Sequence, residues 1–220
     1  MKINEILSSI RGLLKSYTDE TSFTDGYLWS FFCLSRAEIL SNKLKQYNFV
    51  NPSNYKTICI EMKKSNAYEC SCLDLDCTLY KSVNVIPTTI DGRNSSSLKV
   101  FPLLNKTEID YIDELELDIY MEDDIYKNKP LYSLINNHIV LFNVNYDIVQ
   151  VRAIWADMLS LNDIQYCADS TDCLDYFNED IGMTKKDVSM AIKLMLKDYF
   201  NIFIQVPEDN TNDINETIKN

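Results

Sequence analysis

The chain has 220 residues, and its 33 acidic and 21 basic side chains give a formal net charge of −12 at pH 7. This length predicts one large domain or two small ones, and a hydrophobic fraction of 46% can support a sizeable core. The acidity argues against a protein that grips a DNA duplex, which would need a basic face. It is compatible either with simple solubility or with an acidic wall along which a duplex slides.

The first two predicted elements are helices that form an antiparallel hairpin over residues 1–50. Apolar residues recur at i, i+3, i+4 and i+7 through residues 3–16, and Thr24 or Asp25 can cap a second helix that runs to residue 47. Residues 27–34 are apolar almost all round, which predicts burial on every side and a packing centre for the hairpin. The polar half from Arg36 onward is expected to face a neighbouring subunit or a channel. Arg36 itself can pair with an acid of a neighbour or inside its own hairpin, and the sequence leaves both open.

The middle of the chain, residues 51–158, predicts an antiparallel β region whose strands pair with their sequence neighbours. The Asp91-Gly92 turn signal predicts a hairpin over residues 82–104, and Asn136-Asn137 predicts another between two apolar runs. The predicted strands are residues 57–62, 68–80, 82–87, 98–104, 130–135, 138–142 and 147–156.

The last part of the chain predicts an acidic loop followed by one helix, over residues 159–206. Thr184 is the expected cap, with Asp187 three residues on as in a capping box. This helix is expected to pack back on the hairpin, and residues 207–220 read as an extended tail. The predicted fold class is therefore α+β, with a helical hairpin, an antiparallel β-rich middle, and a C-terminal helix with an extended tail.

An acidic run occupies residues 110–124, where alternation over residues 115–119 suits a strand and a helix remains the competitor. The spacing does not match a calcium loop, so a solvated acidic surface is the ordinary interpretation. If the run lines a channel or forms a rim, the residues expected there are Asp118, Glu122, Asp123 and Asp124.

Cys59, Cys70, Cys72 and Cys77 are the best metal candidates, because four thiolates suit tetrahedral zinc. The spacing C-x10-C-x-C-x4-C lacks the usual knuckle, however, and C-x-C places two side chains on opposite faces of a strand. Free thiols are the preferred interpretation, and neither a metal nor a cofactor is expected. His138 is the single histidine, and a sheet position at a hairpin is its ordinary interpretation.

No nucleotide-binding or hydrolase motif is present in the sequence, so we expect no enzyme. Residues 1–16 lack the apolar core of an export signal, and no run approaches the ~20 apolar residues of a membrane span. A membrane partner is therefore not expected.

Several stretches together resemble the ring, or head–tail adaptor, proteins of crAss-like podoviruses. They are Glu5 with LKSYTDE at residues 14–20, Thr24-Asp25 before a helix holding Arg36, the Cys70/Cys77 segment running into residues 81–87, KPLY at 129–132, and IQVPED at 204–209 with Asn212-Asp213. The resemblance implies a virion protein of the phage neck or tail, assembled in the bacterial cytoplasm. It implies a ring of identical subunits, twelve in number, that extends the DNA channel below the portal and docks the next tail component.

A ring of this kind implies self-contact, contact with the portal and other ring or tail proteins, and transient, non-specific passage of double-stranded DNA. The residues expected at a subunit or portal interface are Tyr27, Trp29, Arg36, Ile204, Val206 and Pro207. The alternatives are a zinc-binding or enzymatic module built on the four cysteines, and a phage interaction protein that is not part of the virion.

Overall fold

The computed structural model describes residues 1–17, 23–47, 50–65, 79–91, 97–104, 107–117, 129–166 and 175–202. Within these residues the helices are α1 (Ile3–Tyr17), α2 (Asp25–Tyr47) and α3 (Lys185–Phe200). The strands are β1 (Lys56–Lys64), β2 (Tyr80–Ser82), β3 (Lys99–Pro102), β4 (Asp110–Tyr111), β5 (Leu131–Ile135), β6 (His138–Phe142) and β7 (Ile148–Ala153). The predicted α+β class is confirmed.

The helix starts lie where the cap signals predict them. Thr24 Oγ1 accepts a hydrogen bond from the backbone N–H of Tyr27 at 3.3 Å, and Thr184 Oγ1 accepts one from Asp187 N–H at 3.2 Å. Each hydroxyl satisfies an amide that has no carbonyl partner in the first turn of a helix. The left-handed Asn201 (φ 53°) ends α3, because its N–H turns back to the carbonyl of Leu196.

Helix α2 lies between α1 and α3. The guanidinium of Arg11, in α1, donates to Asp25 Oδ1 at 2.6 and 2.8 Å, which places the second half of α1 beside the start of α2. Lys43, near the end of α2, donates to Asp187 at the start of α3 at 2.6 Å. Helices α2 and α3 therefore run antiparallel, and this is the most extensive helix–helix contact among the described residues.

The prediction that residues 27–34 are buried on every side is wrong. Leu28 and Phe32 are fully buried, whereas Tyr27 and Leu34 are 52% and 55% exposed. Helix α2 lies along the surface of the fold, so one face meets the core and the opposite face meets solvent over its whole length. Its second half is buried in the same way, through Leu40 and Leu44.

The strands form one sheet in the order β3-β7-β1-β2-β6-β5-β4. Strand β3 pairs with β7, so the predicted hairpin over residues 82–104 is wrong. Strand β7 lies between β3 and β1, and β4 pairs parallel with β5, so the sheet is not a simple antiparallel meander. Val100 of β3, at one end of this order, forms a bridge with Ile109, the residue before β4 at the other end. In this bridge the N–H of Ile109 donates to the carbonyl oxygen of Val100 at 2.8 Å.

The hairpin predicted around Asn136-Asn137 is confirmed by strands β5 and β6. Both asparagines have positive φ, 51° and 60°, which is the backbone of a two-residue type I′ turn. His138 follows the turn, and its Nδ1 lies 2.9 Å from the carbonyl oxygen of Ser82. The lone histidine thus has the predicted sheet position, where it connects β6 to the end of β2.

The helices and one face of the sheet enclose the main core, to which Phe32, Ile60, Leu141, Val151 and Leu196 contribute fully buried side chains. The other face of the β5–β6 hairpin carries a smaller cluster, in which Ile112 and Leu117 cover Leu131, Val140 and Phe142. No helix in the described ranges is long and apolar enough to cross a membrane.

Gly182 joins the segment before α3 to the 3-10 turn Pro52–Asn54. Its φ is +75°, a conformation that L side chains rarely adopt, and a Cβ placed there would lie 2.0 Å from the carbonyl oxygen of Ser53. The Ser53 hydroxyl donates to the carbonyl of Gly182 at 2.6 Å. Only glycine permits this approach of the two backbones.

Candidate assembly surface

Five rings meet where α2 begins and α3 ends, and we call them the aromatic patch. They belong to Phe23, Tyr27, Phe31, Tyr199 and Phe200. Phe31 is central, stacked on Tyr199 with ring centroids 4.3 Å apart and edge-to-face with Tyr27 at 4.6 Å. Phe23 packs edge-to-face on Phe200 at 5.0 Å. Offset-stacked and edge-to-face contacts of this kind fix the rings relative to one another.

The aromatic patch is apolar, and its two tyrosines are exposed while its three phenylalanines are partly buried against the core. Tyr27 is 52% and Tyr199 41% exposed, and Leu34 extends the surface one turn further along α2. Tyr27, Phe31 and Leu34 have the i, i+4, i+7 spacing of one helix face, on which Tyr27 and Leu34 are exposed while Phe31 is partly buried against the core. Contiguous exposed apolar surface on a folded chain marks a contact with another molecule, and aromatic side chains are enriched in such contacts.

The site residues predicted from the sequence lie in different environments. Tyr27 is part of the aromatic patch. Trp29 and Arg36 are 4% and 1% exposed, so both are covered by their own chain. Ile204, Val206 and Pro207 lie outside the described residues, as do Asp118, Glu122, Asp123 and Asp124.

Trp29 and Arg36 hold α2 against the chain that follows β7. The indole N–H of Trp29 donates to Asp157 Oδ1 at 2.8 Å, and Arg36 Nη1 donates to the carbonyl of Trp155 at 2.6 Å. Nε and Nη2 of Arg36 have no hydrogen-bond partner among the described residues. Burial lowers the pKa of Arg36 below its ordinary value, while Cys33 and Asp157 act in the opposite direction.

Cys33 shares this buried environment. Burial, reinforced by Asp157, raises the pKa of its thiol well above the ordinary value. A protonated, covered thiol is unreactive, so Cys33 behaves as a small apolar side chain. The arrangement of Cys33, Arg36 and Asp157 is thus suited to structure rather than to chemistry.

The predicted cysteine cluster is described only at Cys59, which is a free thiol on β1. Cys70, Cys72 and Cys77 lie outside the described residues. Among the described residues no group of His, Cys, Asp and Glu has an arrangement that could hold a metal ion.

A pocket of about 200 Å³ opens beside the β5–β6 turn, lined by Ile86, Leu98, Leu134, Asn137 and Asp91 among others. Asp91 is the one acid in this lining, and its carboxylate already accepts hydrogen bonds from Ser97 N–H at 2.7 Å and from the Thr89 hydroxyl. Among the described residues, the lining of this pocket therefore holds no array of free acid and base groups.

The described start of the acidic run forms an exposed corner, which we call the acidic corner: Tyr111, Asp113, Glu114, Leu115 and Glu116. The sequence leaves strand and helix open here, and residues 114–116 form a 3-10 turn, which Asp113 Oδ1 caps by accepting from Leu115 N–H at 3.0 Å. Leu115 is 91% exposed. Partial burial and the three acids raise the pKa of Tyr111.

Phe31, Tyr199 and Phe200 are the surface residues that the sequence-based interface prediction misses. The spacing of Tyr27, Phe31 and Leu34 shows that they share one face of α2, but it does not show whether that face is turned inward or outward. The α3 part depends on the antiparallel pairing of α2 and α3, which brings residues far apart in sequence together.

Comparison with known families agrees with a surface suited to assembly. A family model described as phage tail ring protein 2, of crAss-like phages, matches residues 5–218. No curated protein sequence matches the chain. Ring proteins of this kind are structural, oligomeric components of the phage tail, which points to a non-enzymatic virion protein. Because the match covers nearly its whole length, the chain belongs to the tail ring protein 2 family of crAss-like phages.

Proposed function

We propose that the chain forms a closed ring of twelve identical subunits that extends the DNA channel between the portal and the tail and docks the next tail component. The observation that carries this proposal is the aromatic patch, whose tyrosines are exposed in a chain that belongs to a phage ring family. A ring of identical subunits needs a heterologous interface, in which two different surfaces meet around the circle. The aromatic patch supplies one such surface.

Tyr27 is the residue of the patch that contacts the neighbouring subunit or the portal. Ile204, Val206 and Pro207 follow Phe200 closely in the chain, and in this proposal they extend the same contact. Trp29 and Arg36 contribute from inside, because their bonds to Asp157 and Trp155 fix the position of α2. Rigid presentation of Tyr27 lowers the entropy lost when the contact forms.

The acidic character supports a channel role. With a net charge of −12, a ring of these subunits repels phosphates, so DNA passes without being held. In the proposal Asp118, Glu122, Asp123 and Asp124 line the channel or its rim. The protein is made in the bacterial cytoplasm and ends in the neck or tail of the virion.

Substitution of the patch tests this function. In Tyr27→Asp a carboxylate replaces an exposed aromatic ring, so burial against a neighbour becomes unfavourable. We expect wild type to give a native mass that is twelve times the subunit mass of 25.6 kDa, and Tyr27→Asp to remain monomeric with an unchanged circular dichroism spectrum. The matched control is Tyr166→Asp, which changes an aromatic residue that is 39% exposed outside the patch.

A wild-type chain that stays an ordered monomer at high concentration contradicts the ring. A ring of another copy number contradicts the twelve-fold symmetry alone. Averaged images of purified particles then locate the ring relative to the portal, and its absence from that region contradicts the channel role.

A further inference from the structure

Helix α3 carries a second surface, which we call the lysine face. Lys186, Met190, Lys193 and Lys197 are spaced by four, three and four residues, so they share one line on the helix. All four side chains are exposed, and they lie opposite Val188, Met195 and the other residues of α3 that enter the core. The face extends about 16 Å along the helix at 1.5 Å per residue.

The lysines of this face make no ion pair with the described residues, although the chain carries a large excess of acids. Lys43, on α2, illustrates the contrast, because it pairs with Asp187 at 2.6 Å. Three uncompensated positive charges around the exposed Met190 form a basic, partly apolar surface on an acidic molecule.

The acidic corner has the complementary chemistry. Leu115 and Tyr111 are exposed, and Asp113, Glu114 and Glu116 beside them have no ion pair among the described residues. The acids nearer the sheet are different, because Glu108 pairs with Lys99 at 2.8 Å and Asp110 pairs with Lys129. The unpaired acids therefore surround the exposed leucine.

The acidic corner is held in shape before any partner arrives. Asp113 accepts from Leu115 N–H, and Glu116 N–H donates to the Asp113 carbonyl at 3.0 Å, so the 3-10 turn presents Leu115 outward. The ring of Tyr111 packs edge-to-face on the buried Tyr132 with centroids 5.4 Å apart. Binding then costs little ordering of the corner.

We propose that the acidic corner of one subunit docks on the lysine face of the next copy of this chain, with Leu115 and Tyr111 against Met190 and the acids against the lysines. This inference rests on the proposed ring and names one of its contacts. The two surfaces belong to different elements, so the contact is heterologous, which is the type of contact that builds a ring when the rotation between neighbours closes. The charges on the two surfaces also have the same spacing. Asp113 and Glu116 are three residues apart in a 3-10 turn, and Lys193 and Lys197 are four residues apart in an α-helix, so the two residues of each pair are about 6 Å apart along the axis.

The observations favour a second copy over DNA as the occupant of the lysine face. Three lysines on one helix are few against a net charge of −12, and a duplex contact is built from a basic surface. The acidic corner, by contrast, supplies both the opposite charge and an apolar centre. Opposite charges across an interface also fix which surfaces meet.

Reciprocal charge reversal tests the contact. Variant one carries Lys193→Glu and Lys197→Glu, and variant two carries Glu114→Lys and Glu116→Lys. Each variant alone brings like charges together, so we expect its self-association constant, measured by sedimentation velocity at low salt, to weaken at least tenfold. A one-to-one mixture restores opposite charges at every contact and should assemble as wild type does. The control is Lys63→Glu with Lys64→Glu, which makes the same change in net charge at exposed positions on β1 and should leave association unchanged.

Each outcome decides between the proposals. If wild type does not self-associate, the ring is overturned and this contact with it. If wild type assembles and both variants assemble equally well, the ring stands and this contact is overturned. Loss in each variant without rescue in the mixture also overturns it, because the two surfaces then do not meet. If wild type binds a DNA duplex, and variant one loses that binding but keeps its self-association, the lysine face belongs to a DNA contact and this proposal is overturned.

Discussion

Replacement of Gly182 by alanine should be among the most damaging single substitutions in this fold. The added Cβ would lie 2.0 Å from the carbonyl oxygen of Ser53 and 2.9 Å from the backbone nitrogen of Asn54, distances at which atoms cannot remain. Holding alanine at φ +75° costs about 1–2 kcal/mol. Moving the Pro52–Asn54 turn away costs about 1–3 kcal/mol as overpacking, and losing the Ser53–Gly182 hydrogen bond costs about 0.5–1.5 kcal/mol.

The sum is a loss of about 2.5–6.5 kcal/mol, which for a chain of this size lowers Tm by about 5–26 °C. Thermal unfolding followed by circular dichroism measures it. Gly12→Ala is the matched control: Gly12 lies inside α1 with nothing within 4 Å of a new Cβ, so alanine should raise stability by about 0.5–1 kcal/mol. A Tm of Gly182→Ala within roughly 1–2 °C of the wild-type Tm would refute the reasoning.

Three further predictions concern the turn between β5 and β6, the buried Arg36 and the buried Cys33. Asn137→Gly should stabilise the type I′ turn by about 0.5 kcal/mol, because glycine adopts positive φ freely. Asn137→Val should destabilise the turn by more than about 1 kcal/mol, because a β-branched residue is strained at positive φ. Urea unfolding measures both changes. Arg36→Met should change the free energy of unfolding by less than about 1.5 kcal/mol, because it removes a buried charge that has two unpartnered nitrogens. Arg36→Ala should cost at least about 2 kcal/mol more, because it leaves a cavity. Equal losses of stability in the two variants would contradict this. The Cys33 thiol, whose pKa is raised by burial, should resist alkylation at pH 8 in the native protein and react once denatured, as peptide mass spectrometry would show.

Local signals in the sequence are sufficient for part of the fold. The caps at Thr24 and Thr184 and the Asn136-Asn137 turn act over a few residues, so the elements beside them can be predicted without knowing the tertiary structure. The partner of β3 cannot be predicted in the same way. Strand β3 pairs with β7, about fifty residues on, because burial of both strands in a common core outweighs the proximity of residues 82–87.

The candidate assembly surface, too, can be predicted from the sequence only in part. A run of apolar residues at 27–34 predicts burial, yet it cannot show that Tyr27 and Leu34 are the members of the run that face outward. The direction is set by what packs on the opposite face, chiefly α3 and the sheet. Arg36 is the converse case: its charge suggests a surface position, but the carbonyls of Trp155 and Ala156 give it a buried one.

The bridge between Val100 and Ile109 has a consequence for how subunits join and separate. At this position the outer edge of β3 has a hydrogen-bonding partner within its own chain, so it does not offer the adjacent subunit a template for strand addition. Contacts made there by side chains can form or break without disturbing the backbone ladder.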